Sequence, residues 1–93
     1  MQNKRKKKTY DRKEWIIMKE FAVKISTIDD VKKFVSTVMT FSYDIDLISG
    51  RYAIDAKSIM GIFSIDLSKE LKLVAHSDDT AELEKAISDF IVK

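Results

Sequence analysis

Apolar and polar residues recur along this chain with two distinct periods, which predict both strands and helices. Phe21, Val23 and Ile25 alternate with smaller or polar residues, the period of a strand with one buried face. Thr27 followed by Asp30 resembles a capping box in which Asp replaces the usual Glu, so a helix should begin there. Its apolar residues recur at spacings of three and four, at Ile28, Val31, Phe34, Val35, Val38 and Met39.

The second half of the chain continues with further strands and a final helix. Residues 44–48 and 52–54 are strand candidates, and Gly50 between them can adopt the positive φ of a tight hairpin. Leu71, Leu73 and Ala75 alternate with Lys72, Val74 and His76 and predict a fourth strand. Asp79 and Glu82 signal a helix start, and the apolar positions of that helix are Leu83, Ala86, Ile87, Phe90 and Ile91.

A short helix is predicted between the third and fourth strands, in the segment Asp55 to Ser64. Ser58 occupies the N-cap position, where its hydroxyl can accept a hydrogen bond from an unpaired N–H of the first turn. At about 100° per residue, the apolar residues that follow cover an arc of about 160°. That arc is broad for two turns packed by one face, so we expect its edge residues to stay exposed as a docking patch.

The order β-α-β-β-α-β-α predicts an α+β fold in which three helices cover one side of a four-stranded antiparallel sheet. The sequence Lys57-Ser58-Ile59-Met60-Gly61, an apolar pair and Ser64 also resembles the regulatory-serine segment of the HPr family, the phosphocarriers of the bacterial phosphoenolpyruvate-dependent sugar phosphotransferase system. The resemblance extends from about Lys19 to Val92 through the order of the elements and implies an HPr-like open-faced β-sandwich.

The same resemblance implies sites and partners. Ser58 would be phosphorylated by an ATP-dependent HPr kinase in the bacterial cytoplasm. Lys57, Ile59, Met60 and Phe63 would bind a protein partner, either that kinase or a transcription regulator of catabolite control. The adjacent Lys57 and the helix N-terminus both favour the added negative charge.

The chain departs from the family where its members carry the phosphoryl group. HPr proteins use a histidine at the start of the first helix, followed by Ala-Arg-Pro, whereas residues 26–33 contain no histidine and no arginine, and the chain contains no proline. Asp29 and Asp30 would repel a phosphoryl dianion and are better interpreted as complementing the helix dipole. The single histidine, His76, ends the fourth strand, and we expect it to be solvated. We therefore predict a regulatory binding protein that is not an enzyme and has no catalytic residue.

Composition excludes several other classes of function. Ninety-three residues form one domain at most, and without cysteine there is no disulfide, thiol nucleophile or cysteine metal site. No set of His, Asp and Glu has metal-ligand spacing, and two glycines do not make a glycine-rich phosphate loop. We predict neither a metal nor a cofactor. No apolar run approaches the roughly 18 residues of a membrane span.

Charge divides the chain into an arm and a domain. Residues 1–14 hold seven Lys and Arg against two acidic residues, whereas residues 15–93 hold ten basic and thirteen acidic residues. We predict a disordered basic arm over 1–14 and an HPr-like domain over 15–93. Two alternatives stay open: an active phosphocarrier that uses a non-standard acceptor, and a small nucleic-acid-associated protein that acts through the arm. Nucleic acid is not the expected partner, because the excess positive charge belongs to the arm alone.

Overall fold

A computed structural model describes residues 18–92 and confirms the predicted order of elements. The predicted disorder of the arm, and the first three residues of the predicted domain, lie outside the described residues. The elements are β1 (Lys19–Val23), α1 (Ile28–Val38), β2 (Ile45–Ser49), β3 (Tyr52–Asp55), α2 (Ile59–Phe63), β4 (Leu71–Ala75) and α3 (Ala81–Ala86).

The four strands form one antiparallel sheet with the order β1-β4-β2-β3. Phe21, Leu73, Leu47 and Ile54 face one another across the four strands, which fixes the register. The tight turn between β2 and β3 uses Gly50 at φ 60, a left-handed conformation that glycine adopts without a steric penalty. The hairpin predicted around Gly50 is confirmed.

One face of the sheet and the three helices enclose the hydrophobic core. Alternate strand residues point inward, and the buried residues of the helices pack on them. The opposite face bears no helix within the described residues, so the predicted open-faced arrangement is confirmed. The fully buried side chains of the core are Val23, Ile25, Val31, Phe34, Val38, Ile45, Leu47, Ala56, Ile62, Leu73, Ala75, Leu83 and Ile87.

The predicted apolar stripe of α1 is correct in the middle of the helix and wrong at both ends. Val31, Phe34 and Val38 are fully buried, whereas Ile28 is 63% exposed and Met39 is 61% exposed. Ile28 is the first residue of α1 and Met39 is its C-cap. Helical periodicity gives the direction in which a side chain points, but it does not give the length of helix that the sheet covers.

The final helix is shorter than predicted, because its last apolar residues pair with β1 instead. After Ala86 the chain turns, and the carbonyl of Phe90 accepts from Lys24 N–H at 2.8 Å. Val92 N–H donates to the carbonyl of Ala22 at 2.8 Å. Phe90 and Val92 therefore satisfy backbone hydrogen-bonding groups at the outer edge of β1. The predicted cap at Asp79 is also wrong, since α3 has Thr80 as its N-cap.

Candidate functional site

Ser58 caps α2, as the sequence predicts. Its backbone is extended (φ −104, ψ 109), and its Oγ accepts a hydrogen bond from Gly61 N–H at 3.1 Å. The carbonyl of Ser58 accepts from Ile62 N–H at 3.1 Å and so begins the helical hydrogen bonding. The hydroxyl thus satisfies one of the N–H groups that a helix start leaves without a partner.

Gly61 allows the Ser58 side chain to approach the helix closely. A Cβ at position 61 would lie 3.2 Å from Ser58 Oγ and 3.4 Å from Ser58 Cβ, which is tighter than ordinary contact. At the other end of the helix, Ser64 donates to the carbonyl of Gly61 from both its N–H, at 3.1 Å, and its Oγ, at 2.6 Å. Both serine caps of α2 are therefore bonded to the same glycine.

The exposed apolar side chains of α2 are Met60, at 74%, and Phe63, at 43%. Ile62 is fully buried, and Ile59 is half-buried against the core. Met60 and Phe63, with Ile59 at their margin, are called the α2 surface below. An isolated exposed apolar residue is common on proteins, whereas here two lie on one short helix beside its capping serine, which is the surface that the sequence predicts as a docking patch.

Lys57 has a structural role that the sequence did not reveal. Its Nζ donates to the carbonyl of Phe41 at 2.6 Å and to the carbonyl of Tyr43 at 2.9 Å. Its N–H donates to Asp55 Oδ1 at 2.9 Å. The ammonium therefore joins the α1–β2 connection to the segment before α2. Two of the three donors of the ammonium are thus engaged within the protein, and the predicted role of Lys57 in partner binding stays a prediction.

The start of α1, where the family carries its phosphoryl group, presents negative charge in this chain. Thr27 Oγ1 accepts from Asp30 N–H at 3.0 Å, and Asp29 and Asp30 occupy the first turn. The capping threonine thus takes up an N–H that could otherwise bind an anion. Residues 24–31 contain neither histidine nor arginine.

His76 lies far from the start of α1, at the other end of the sheet and on its open face. It follows Ala75, which pairs with Lys19 at the beginning of β1, whereas α1 starts after the end of β1. His76 Nε2 is 2.9 Å from Asp46 Oδ2, and the two side chains are 23% and 7% exposed. The prediction that His76 lies on the solvated face of the sheet is therefore correct, but the side chain is not freely solvated, because it is partly buried and has a carboxylate partner.

The described residues contain no group of three or more His, Cys, Asp or Glu that could hold a metal ion. None of the helices between residues 18 and 92 is long and apolar enough to cross a membrane.

Comparison with known proteins gives consistent relatives. Residues 30–93 match the sequence model of the PTS-HPr family, described as "PTS HPr component phosphorylation site". The crystal structure of HPr-C-His from Thermoanaerobacter tengcongensis is 35% identical and superposes with a TM-score of 0.66, covering 76% of this chain and 88% of that one. Phosphocarrier protein HPr from Bacillus anthracis str. Ames is 25% identical, with a TM-score of 0.57 and coverage of 77% and 90%. No curated protein matches the chain.

The family match begins at Asp30, within the first turn of α1, and therefore excludes the loop that precedes the helix. It also excludes β1, and it includes every element from β2 to α3, among them α2 with its two serine caps. HPr proteins are phosphocarriers that act by contacting other proteins of the phosphotransferase system, and they are not catalytic enzymes in the usual sense. On the family match, the sheet topology and the identity to a solved HPr, this chain belongs to the HPr family of the sugar phosphotransferase system.

Proposed function

We propose that this protein is a regulatory binding member of the HPr family, which acts through the α2 surface and does not carry phosphate on a histidine. The observation that supports this most is the arrangement of α2. Serine caps at both ends hold a two-turn helix in place, and Met60 and Phe63 project from it into solvent. Such a fixed apolar pair can dock on another protein without first being ordered.

Phosphorylation of Ser58 would regulate this docking. A phosphoserine carries a charge of about −2 and three acceptor oxygens, one of which can replace Oγ as the acceptor for Gly61 N–H. The positive end of the α2 dipole favours the modified form, and the ammonium of Lys57 would add to this only if it left the carbonyls of Phe41 and Tyr43. The new charge would lie beside Met60 and change which partners the α2 surface accepts. By family, these partners are HPr kinase or a transcription regulator in the bacterial cytoplasm.

The start of α1 argues against phosphoryl transfer in this chain. A phosphoryl dianion within several Å of Asp29 and Asp30 would meet a repulsion of about 1 kcal/mol from each carboxylate. No imidazole is present there to accept and release the group near neutral pH. His76, on the opposite end and face of the sheet, is hydrogen-bonded to Asp46.

Two phosphorylation reactions test the proposal, with intact mass as the readout. With ATP and HPr kinase, we expect the wild-type chain and Ser64→Ala to gain one phosphoryl group and Ser58→Ala to gain none. A gain that persists in Ser58→Ala removes Ser58 as the site. With phosphoenolpyruvate and the general phosphotransferase enzyme, we expect no gain. An acid-labile addition in that reaction would identify an active carrier and overturn the proposal.

Docking is tested by introducing a negative charge at each of two methionines that are similarly exposed. Met60→Glu should abolish binding to the kinase, because a carboxylate would replace the most exposed apolar side chain of α2. Met39→Glu is the control, since Met39 is 61% exposed but caps α1. Equal loss of binding in both variants would show that the α2 surface is not the docking site.

A further inference from the structure

The open face of the sheet is a mildly acidic surface with a strip of small and apolar residues. Its outward positions carry the exposed or half-buried carboxylates of Glu20 and Asp55, the buried carboxylate of Asp46, which is bonded to His76, and one ammonium, Lys72, whose Nζ lies 3.7 Å from Glu20 Oε1. A shallow depression of about 500 Å³ lies along it, lined in part by Ala22, Ile48 and Lys72. The outward positions, as the register gives them, are Glu20, Ala22, Asp46, Ile48, Ala53, Asp55, Lys72 and Val74.

The apolar residues of this face are adjacent to one another. Ala22, Ile48 and Ala53 share one cross-strand row with Lys72, and Val74 lies in the next row. Ala22 and Ala53 are exposed, while Ile48 and Val74 are half-buried. The small side chains of Ala22 and Ala53 leave space at both edges, where another segment can contact Ile48 and Val74.

The amino-terminal segment of the same chain has the complementary chemistry. Residues 1–14 have a net charge of +5, whereas the described residues 18–92 have nine basic and thirteen acidic residues. Three large apolar residues, Trp15, Ile16 and Ile17, immediately precede the sheet. The segment therefore offers an apolar stretch close to its attachment point and a basic stretch farther away.

The length of the segment suits this surface. It joins the sheet at Met18, directly before the edge strand β1. Crossing the three gaps between four strands requires about 14 Å at the usual strand spacing. Seventeen extended residues reach about 56 Å, and the longest dimension of the domain is 36 Å. A handful of residues can thus cross the sheet while the basic run still reaches its carboxylates.

We propose that residues 1–17 dock in cis on the open face of the sheet. Trp15, Ile16 and Ile17 fold back over Val74, in the outward row nearer the start of β1, and the basic run continues across the face beside Asp55 and the row that contains Ile48. Removing apolar surface from water holds the segment in place, and the opposite charges select this face over the helical one. The α2 surface lies on the other side of the domain, so this contact goes beyond the proposed function and is compatible with it.

Trp15 is the only tryptophan, so its fluorescence reports on this contact directly. In the full-length chain, we expect acrylamide to quench Trp15 several-fold less than in a peptide of residues 1–18. Ala53→Arg should restore peptide-like quenching, because it places bulk and positive charge on the open face. The matched control is Ala86→Arg, since Ala86 is equally an exposed alanine but lies on α3. It adds the same charge to the helical side and should leave the protection intact.

The remaining measurements make each outcome decisive. Ala22→Arg, on the other edge strand, should act as Ala53→Arg does, and far-UV circular dichroism confirms that each variant is folded. High salt should weaken the protection, since exposed charges are screened. Quenching equal to that of the peptide in the wild-type chain overturns the proposal. If Ala86→Arg removes the protection equally, Trp15 lies against another surface, and the proposal is overturned. If the protection rises with protein concentration, Trp15 lies against another copy of the chain, which also overturns the proposal.

Discussion

The ammonium of Lys57 gives a sharp test of what supports α2. Lys57→Met keeps the apolar stem of the side chain and removes only the charge and its three donors. The carbonyls of Phe41 and Tyr43 then lose donors at 2.6 and 2.9 Å. We expect the α1–β2 connection and the segment before α2 to separate more readily in this variant.

The expected loss of stability follows from these two bonds. A hydrogen bond to a charged group contributes about 1.5–3 kcal/mol, and the lower end applies here because both bonds are only partly buried. Some of this loss is recovered when water reaches the two carbonyls, so the net expected loss is about 2–3 kcal/mol. For a domain of this size, each kcal/mol shifts the Tm by about 4–8 °C, which gives a fall of about 8–24 °C.

Urea and thermal unfolding followed by far-UV circular dichroism measure the effect. Lys32→Met is the matched control, because Lys32 is exposed on α1 and its substitution should change stability by less than about 0.5 kcal/mol. A Lys57→Met variant as stable as the control would refute the structural role of the ammonium. The side chain would then be available for docking, as the sequence alone suggested.

Three further predictions concern α2 and two titrating side chains. Alanine has a higher helix propensity than glycine by about 1 kcal/mol, but a Cβ at position 61 would lie 3.2 Å from Ser58 Oγ. Gly61→Ala should therefore stabilise the protein only in a Ser58→Ala background. If the two substitutions change the free energy of unfolding additively, this reasoning is wrong. Ser68 donates its hydroxyl and its N–H to Asp66 and lowers the pKa of that carboxyl. Ser68→Ala should therefore raise the pKa of Asp66 in an NMR titration. The stability that Asp66 contributes is present above its usual pKa and is lost as pH falls through the lowered value. Burial, followed by the charges of Asp79 and Glu82, raises the pKa of Tyr43, so its contribution to stability is lost as pH rises through that raised value. Ultraviolet titration should show Asp79→Asn lowering the pKa of Tyr43, and an unchanged pKa would exclude that charge as a cause.

The sequence predicts the order of the elements correctly, because each has a clear period and some also have a local signal at a helix start or a turn. Thr27 and Ser58 have side chains that bond only a few residues ahead, so their capping roles can be identified from neighbouring residues. Gly50 is similar, since its positive φ is a requirement of the two-residue turn itself. In each case the deciding interaction is local in the chain.

The interactions that the sequence did not reveal join distant residues. Lys57 bonds carbonyls 14 and 16 residues away, and His76 bonds a carboxylate 30 residues away. Ile91 belongs to a good helical pattern, but it pairs with Val23 because an edge of the sheet lies within reach. Such outcomes depend on which segments the fold brings together, and periodicity carries no information about that.

The pairing of the last residues with β1 also determines how the sheet can grow. Because Phe90 and Val92 bond to the outer edge of β1, β3 provides the other outer edge of the described sheet. β3 is short, and a short border is a poor template for polymerisation. In a chain truncated before Phe90, the outer edge of β1 would lose these backbone hydrogen bonds. We expect such a chain to form fibrillar aggregates more readily than the intact protein.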